Sequence, residues 1–224
     1  MAQTLLTTPL PPYSIHQGTS GFALDIAHTL ANAQGWSLQT IFVPWARAQK
    51  MTVEGSDLLI TPLTRTPSRE AHYDWLIPVH EYKLELITND PSLPINDLDA
   101  VRSETVCVMR SSPAENMAES LGLDNSIAVS DGGKCMELLG RGRYKLVLTH
   151  GLMDASWAYQ NYGFDPDKLI QVASLPGGML YIASSKGMFT TQQRGRISDW
   201  YKAFRKSQDY RTLLQKYHLS IESR

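Results

Sequence analysis

A chain of 224 residues, 42% hydrophobic and 19% charged, has the composition of an ordinary globular protein and the length to bury one large core or two small ones. Its net charge of −1, with no extended run of Lys and Arg, removes the electrostatic basis for nucleic acid or an anionic membrane as partner and leaves small molecules and proteins. No stretch approaches the roughly 18 consecutive apolar residues that a spanning helix needs. The N-terminus has no basic region followed by an apolar run, so the chain reads as cytoplasmic or as a secreted protein whose signal has been removed; Met1-Ala2-Gln3 suits a start codon placed on a mature chain.

In chain order, Gln3 to Thr8 reads as a strand. Phe22 to Gly35 reads as a helix with Ala23, Ile26, Ala27, Leu30 and Ala31 on one face and Gly35 as its terminator. Trp36 to Val43 alternates as a strand does, Arg47 to Glu54 is a short helix, and Asp57 to Ile60 opens another buried strand. Leu84 to Thr88 is again apolar. The cluster NDPSLPIND then has the Asn, Asp, Pro and Ser content of a connector and marks the exit from a first lobe. A second series starts at Thr105: VCVM as strand, Pro113 to Leu121 as helix, Ser126 to Val129 as strand, a helix around Lys134 to Gly140, and LVLT as strand. Gly178 to Ala183 is a further strand, followed by amphipathic helices at Gln192 to Ser207 and Tyr210 to Tyr217. Such alternation predicts an α/β protein with mainly parallel sheets.

Catalytic signatures are missing from the sequence. The six histidines follow no metal-ligand spacing, no GxSxG occurs, and DGGK lacks the rest of a phosphate-binding loop, so no metal, cofactor or enzymatic activity is expected. Two cysteines, Cys107 and Cys135, are too few for a disulfide framework, and the reading favours buried free thiols over a single bridge.

The runs PPYSI, GFALDIAHTLANAQGW, VPWARAQ and GSDLLITPLTRTPSREAHYDWLIPV, followed by VCVMRSSPAE, ELLGRGRYKLVLTH and GGMLYIASSKG, together resemble the bacterial extracellular solute-binding proteins that serve polar amino-acid ABC transporters. The resemblance covers essentially the whole chain. It implies a two-lobed fold of the type II periplasmic-binding kind, each lobe a mainly parallel sheet flanked by helices, with two crossover strands near Leu84 to Thr88 and Leu180 to Ser184. Residues 1–87 and 183–224 would form a discontinuous first lobe and residues 88–182 the second, with the ligand cleft between them. It further implies a periplasmic monomer that closes on an amino acid or related carboxylate and delivers it to a permease. A lyase on the same fold and a sensory or orphan binding domain are the alternatives.

The same resemblance distributes roles. Arg69, in TRTPSR, falls at the carboxylate-binding arginine, where a planar fork of donors matches a carboxylate bidentately. Thr64 falls where a hydroxyl and amide assist it, Thr61 at a cleft-lining position, and Arg65 reads as a solvated competitor. Ser112 matches a loop that meets the carboxylate from the second lobe, but the flanking glycine and threonine are Ser111 and Pro113, which removes a backbone donor and a hydroxyl. Capping the following helix is the alternative role for Ser112.

Trp45 falls where an aromatic ring covers the ligand side chain, whereas Leu10 occupies a position that more often carries a stacking ring. Tyr13 reads as a packing residue. His150 stands where relatives that take α-amino acids carry an aspartate for the ammonium group, so the fixed negative charge is lost. Either a nearby carboxylate, such as Asp154 or Glu81, substitutes or the ligand lacks an α-ammonium group.

Overall fold

The computed structural model describes residues 2–219; Met1 and residues 220–224, at the two ends of the expected first lobe, lie outside them. Its elements are β1 (Ala2–Thr7), α1 (Phe22–Gln34), β2 (Ser37–Phe42), α2 (Trp45–Glu54), β3 (Leu58–Thr64), β4 (Tyr73–Thr88), α3 (Leu98–Val101), β5 (Val106–Met109), α4 (Pro113–Ser120), β6 (Ser126–Val129), α5 (Gly132–Gly140), β7 (Leu146–Thr149), α6 (Leu152–Asn161), β8 (Ile170–Ser185), α7 (Thr191–Phe204) and α8 (Gln208–Lys216). They divide into two units: unit 1 holds the chain through Thr8, Pro12–Glu81 and Met179 onward, and unit 2 holds Pro9–Pro11 with Tyr82–Gly178. The long strands β4 and β8 each contribute residues to both units.

In unit 1, β1 lies between β2 and β3 and runs parallel to both, while β8 runs antiparallel to β3. The β3–β8 register shifts between Ile60 and Leu63, where Pro62 has no N–H to give to the ladder. Unit 2 repeats the plan: β5 lies between β6 and β7, parallel to both, and β4 runs antiparallel to β7. Three parallel strands with one antiparallel strand per unit is the mainly parallel arrangement expected from the alternation of elements.

Helix α1 buries the face anticipated from its spacing, Ala23, Ile26, Ala27, Leu30 and Ala31. Its termination is also local: Gly35, at φ 69°, donates its N–H to Ala31 and Asn32 carbonyls. Gly21, just before α1, has φ 136°, and a Cβ there would stand 2.4 Å from the Tyr13 carbonyl oxygen, so only glycine fits. Thr190 and Gln193 exchange side-chain and backbone bonds in a capping box that starts α7. Ser207, expected at the end of one helix, instead starts α8 by accepting from the Tyr210 N–H.

Four further elements depart from expectation. Helix α2 begins at Trp45 rather than Arg47, and β4 and β8 are far longer than their apolar cores at Leu84 to Thr88 and Gly178 to Ala183. Helix α6 was not anticipated at all, although Leu152, Ala155, Ala158 and Tyr159 have helical spacing, because Gly151 at its N-cap supplies no side-chain start signal.

The expectation of free thiols is wrong: Cys107 and Cys135 form a disulfide, with Cα atoms 5.5 Å apart. Their 28-residue separation gave no hint of proximity, but the path through α4 and β6 returns the chain so that α5 packs on β5. The bridge lies in the core of unit 2, among Ile87, Met136, Leu139 and Val147, and both its cysteines are essentially inaccessible.

Candidate functional site

Unit 1 positions Arg69 through a short loop that leaves β3 at Thr64 and forms a 3₁₀ turn over Pro67–Arg69. Arg69 Nη1 donates to the Thr64 carbonyl oxygen at 3.0 Å, so the two residues expected to act together do touch. Arg69 also lies close enough to Tyr73 for its charge to act on the phenol: burial pushes the Tyr73 hydroxyl upward, and Arg69 partly offsets this.

The competing arginine is committed elsewhere. Arg65 donates from Nε and Nη2 to the two carboxylate oxygens of Glu70, at 2.8 and 2.6 Å. Its guanidinium also stands 5.5 Å from the centroid of the Trp75 ring and 5.6 Å from that of Tyr181. This side-chain bond holds Glu70 below the usual carboxylate range. Arg65 is thus exposed, as expected of a solvated arginine, and paired at the surface with Glu70.

Thr61 is fully buried, and its hydroxyl donates to the Tyr181 carbonyl oxygen at 3.1 Å, which gives it a partner within unit 1. Trp45 opens α2 and is 2% exposed. Tyr13 is a packing residue, as anticipated; its hydroxyl is 3.0 Å from His80 Nδ1.

Unit 2 gathers Leu10, Ser112 and His150 around one small cavity, together with Met109, Cys135 and Val147. The three expected residues come from widely separated parts of the sequence: Leu10 from the segment at residues 9–11, Ser112 from the start of α4, and His150 from the end of β7. Ser112 is the N-cap of α4: its hydroxyl accepts from the Glu115 N–H and donates to the Met109 carbonyl oxygen at 2.6 Å. Glu115 in turn accepts from the Ser111 N–H at 2.6 Å. The polar groups of this loop thus form a closed capping arrangement, the second of the two roles Ser112 could play.

His150 is 6% exposed, with its ring 4.5 Å from that of Tyr82. Beside it, a second small cavity is lined by Leu10, Pro11, Met136, Thr149, Ala158 and Asp154. Of the two carboxylates considered as substitutes for the missing aspartate, Glu81 is exposed in unit 1, whereas Asp154 is 5% exposed in unit 2. Asp154 Oδ2 has no hydrogen-bond partner among the described residues. Burial, and secondarily the charge of Glu85, hold the Asp154 carboxyl well above the usual carboxylate range. Glu85 itself accepts from the Leu152 N–H at the start of α6. Sequence reasoning missed Glu85, because nothing in an apolar strand marks one glutamate as a cap for a helix 67 residues away.

Among the described residues no cluster of His, Cys, Asp and Glu could hold a metal ion, and no helix is long and apolar enough to cross a membrane. Comparison with known families finds a match to the bacterial extracellular solute-binding proteins, family 3, over residues 4–220. No curated protein matches. Among solved structures, an ancestral arginine-binding protein bound to glutamine superposes with a TM-score of 0.83 at 18% identity, covering 96% of this chain and 97% of that one.

A Streptococcus pneumoniae amino-acid ABC transporter substrate-binding protein bound to L-arginine gives a TM-score of 0.80 at 18% identity, covering 96% and 93% respectively. A histidine kinase sensor domain similar to periplasmic binding proteins gives 0.80 at 17% identity, covering 96% and 95%. These likenesses identify the fold as the type II periplasmic-binding architecture.

Proposed function

We propose that this chain, which belongs to the bacterial extracellular solute-binding proteins, family 3, captures a small polar carboxylate, an amino acid or a close relative, and delivers it to an ABC importer without altering it. The observation that carries this reading is the placement of Arg69, braced on the Thr64 carbonyl at the end of β3 while its neighbour Arg65 is occupied by Glu70. A braced guanidinium loses less freedom on binding and presents its fork in a defined plane to a carboxylate. Similarity to structures that hold arginine and glutamine supports the ligand class.

In this reading the ligand lies in a cleft between two lobes, residues 1–87 with 183–224 and residues 88–182, and closure about the crossover strands shifts the population toward a ligand-bound state. Thr64 and Arg69 take the carboxylate, Trp45 and Leu10 shape the side-chain end, and Thr61, Ser112 and His150 complete the lining. The protein acts as a periplasmic monomer with an ABC permease as partner and needs no cofactor. The Cys107–Cys135 bridge suits an oxidising compartment outside the cytoplasm.

Binding without turnover separates this function from a lyase. The protein is mixed with each of the common L-amino acids and with prephenate-like dicarboxylates, and the mixtures are followed by proton NMR. Line broadening of a ligand with no new product signals is expected; stoichiometric conversion of any of them would assign an enzyme instead. A sensory role is distinguished by gene neighbourhood, since a transporter subunit predicts adjacent permease and ATPase genes.

A further inference from the structure

Summed over the chain the charge is −1, but the two units divide it unevenly. Unit 1 carries 13 Lys and Arg against 9 Asp and Glu, whereas unit 2 carries 8 against 13. The excess of unit 1 is concentrated near its end: residues 191–216, which form α7, α8 and the turn between them, hold seven Lys and Arg against Asp199 and Asp209. The exclusion of anionic surfaces that follows from the total charge therefore fails for this face.

The helix pair separates apolar from basic side chains. Ile197, Tyr201 and Phe204 of α7 and Tyr210 and Leu214 of α8 are buried, while Arg196, Lys202, Arg205, Lys206, Arg211 and Lys216 are exposed. Two of the seven cations are committed to carboxylates of unit 1: Arg194 pairs with Asp74 and Lys216 with Asp25. Lys202 pairs with Asp199, but both side chains are largely exposed and such a pair is worth little, so Lys202 remains available. Arg196, Arg205, Lys206 and Arg211 have no carboxylate partner among the described residues.

Four of these cations meet at one corner. Arg205 and Lys206 make the turn between the helices, Arg211 Nη1 donates to the Lys206 carbonyl oxygen at 3.2 Å, and Lys202 stands one helical turn before Lys206. The Arg205 guanidinium is 6.0 Å from the centroid of the Tyr210 ring, which holds it beside α8. The C-terminal dipole of α7, equivalent to about half a unit charge, does not account for four cations.

We propose that this corner of α7 and α8 is a docking surface for anionic lipid headgroups. The occupant follows from what the face lacks. A stable protein interface centres on buried aromatic or aliphatic anchors, and among the described residues no large hydrophobic side chain of α7 or α8 is exposed. Lipid headgroups attract long basic side chains without any insertion, each contributing about a fivefold factor to partitioning. Unit 2, with its negative excess, is repelled by the same surface, so the contact belongs to unit 1. Attachment of this kind is reversible and screened by salt. It would concentrate the protein at a membrane and leave Arg69, Thr64 and Trp45 untouched, since none of them lies in α7 or α8.

Lipid attachment does not depend on the identity of the ligand, and the test uses the ligand-free full chain. The protein is sedimented with vesicles of phosphatidylcholine alone and with vesicles of phosphatidylcholine and phosphatidylglycerol in equal parts, at about 0.05 M and about 0.5 M salt. Wild type should bind the anionic vesicles at low salt, leave them at high salt and ignore the neutral ones. Arg205→Gln with Lys206→Gln and Arg211→Gln should lower partitioning at least about tenfold. Lys83→Gln with Arg143→Gln and Lys168→Gln removes the same charge from exposed positions of unit 2 and should not lower it by more than about twofold. If circular dichroism shows the first triple variant misfolded, Arg205→Gln with Lys206→Gln spares the Arg211 bond and should still cost at least about fivefold.

Absence of binding at low salt, equal binding to neutral vesicles, or undiminished binding by the folded variants overturns the assignment. Retention of wild type on immobilised poly-L-glutamate without vesicle binding would also overturn it and give the face to an acidic protein segment.

Discussion

Arg69→Ala is expected to cost the best ligand about 2–5 kcal/mol, a loss of about 30-fold to a few thousand-fold in affinity, with little change in the protein's own melting. The magnitude follows from truncating one side of a desolvated charge pair, which leaves a carboxylate without its fork of donors. The small effect on folding follows from position: Arg69 is partly exposed, on a short loop outside the core.

Arg65→Ala is the natural control, because that side chain serves Glu70 and the Trp75 and Tyr181 rings. It should leave affinity within about threefold, in line with the small worth of exposed ion pairs. Calorimetry of the three proteins decides the matter. Comparable affinity for wild type and Arg69→Ala would remove Arg69 from the site, and a large loss with Arg65→Ala would move the carboxylate to the neighbouring arginine.

The second large effect is on stability. Loop closure over the 28-residue separation of Cys107 and Cys135 is worth about 3–4 kcal/mol in the chain-entropy account of disulfides. Cys107→Ala with Cys135→Ala should therefore lower the melting temperature by roughly 10 °C, and the unfolding of unit 2 should move more than that of unit 1. Ligand binding should weaken too, because Cys135 lines the same cavity as Leu10, Ser112 and His150 and fixes α5 to β5 beneath it. Thermal unfolding by circular dichroism, with hydrogen exchange to resolve the units, measures both. A melting temperature unchanged within about a degree would show that the packing of α5 holds without its covalent tie.

The bridge illustrates why some features were legible in the sequence and others were not. Helix α1 could be read because its signals are local: five small or aliphatic residues on one face and a glycine that accepts the left-handed turn. The same holds for the strand-and-helix alternation of the second series. Proximity of Cys107 to Cys135 depends instead on how α5 folds back over β5, which no spacing rule encodes. Helix α6 had the right periodicity but a glycine N-cap at φ 123° with no side-chain cap, so the usual start signal was missing.

The candidate site divides along the same line. Arg69 and Thr64 sit close together in sequence, and their contact was foreseeable. Between Arg65 and Arg69 the resemblance favoured Arg69, and the pairing of Arg65 with Glu70 and its approach to two aromatic rings, which only the structure shows, support that choice. Ser112 could be read as helix cap or carboxylate ligand, and the bonds to Met109 and Glu115 show it acting as the cap. At His150 the sequence showed what was lost and left Asp154 and Glu81 as equal substitutes. Only the structure separates the two, because Asp154, four residues on, is buried and Glu81 is exposed.

The central claim, a binding protein for a small carboxylate, is tested most directly by thermal unfolding of the wild-type chain in the presence of a panel of L-amino acids, amines and carboxylates. At about one hundred times its dissociation constant, a ligand that binds only the folded state adds about 2.7 kcal/mol, enough to raise the midpoint by roughly 5–10 °C. At least one amino acid or related carboxylate should produce such a rise while amines lacking a carboxylate do not. A panel in which no carboxylate shifts the transition, or in which simple amines shift it as much, would contradict the account.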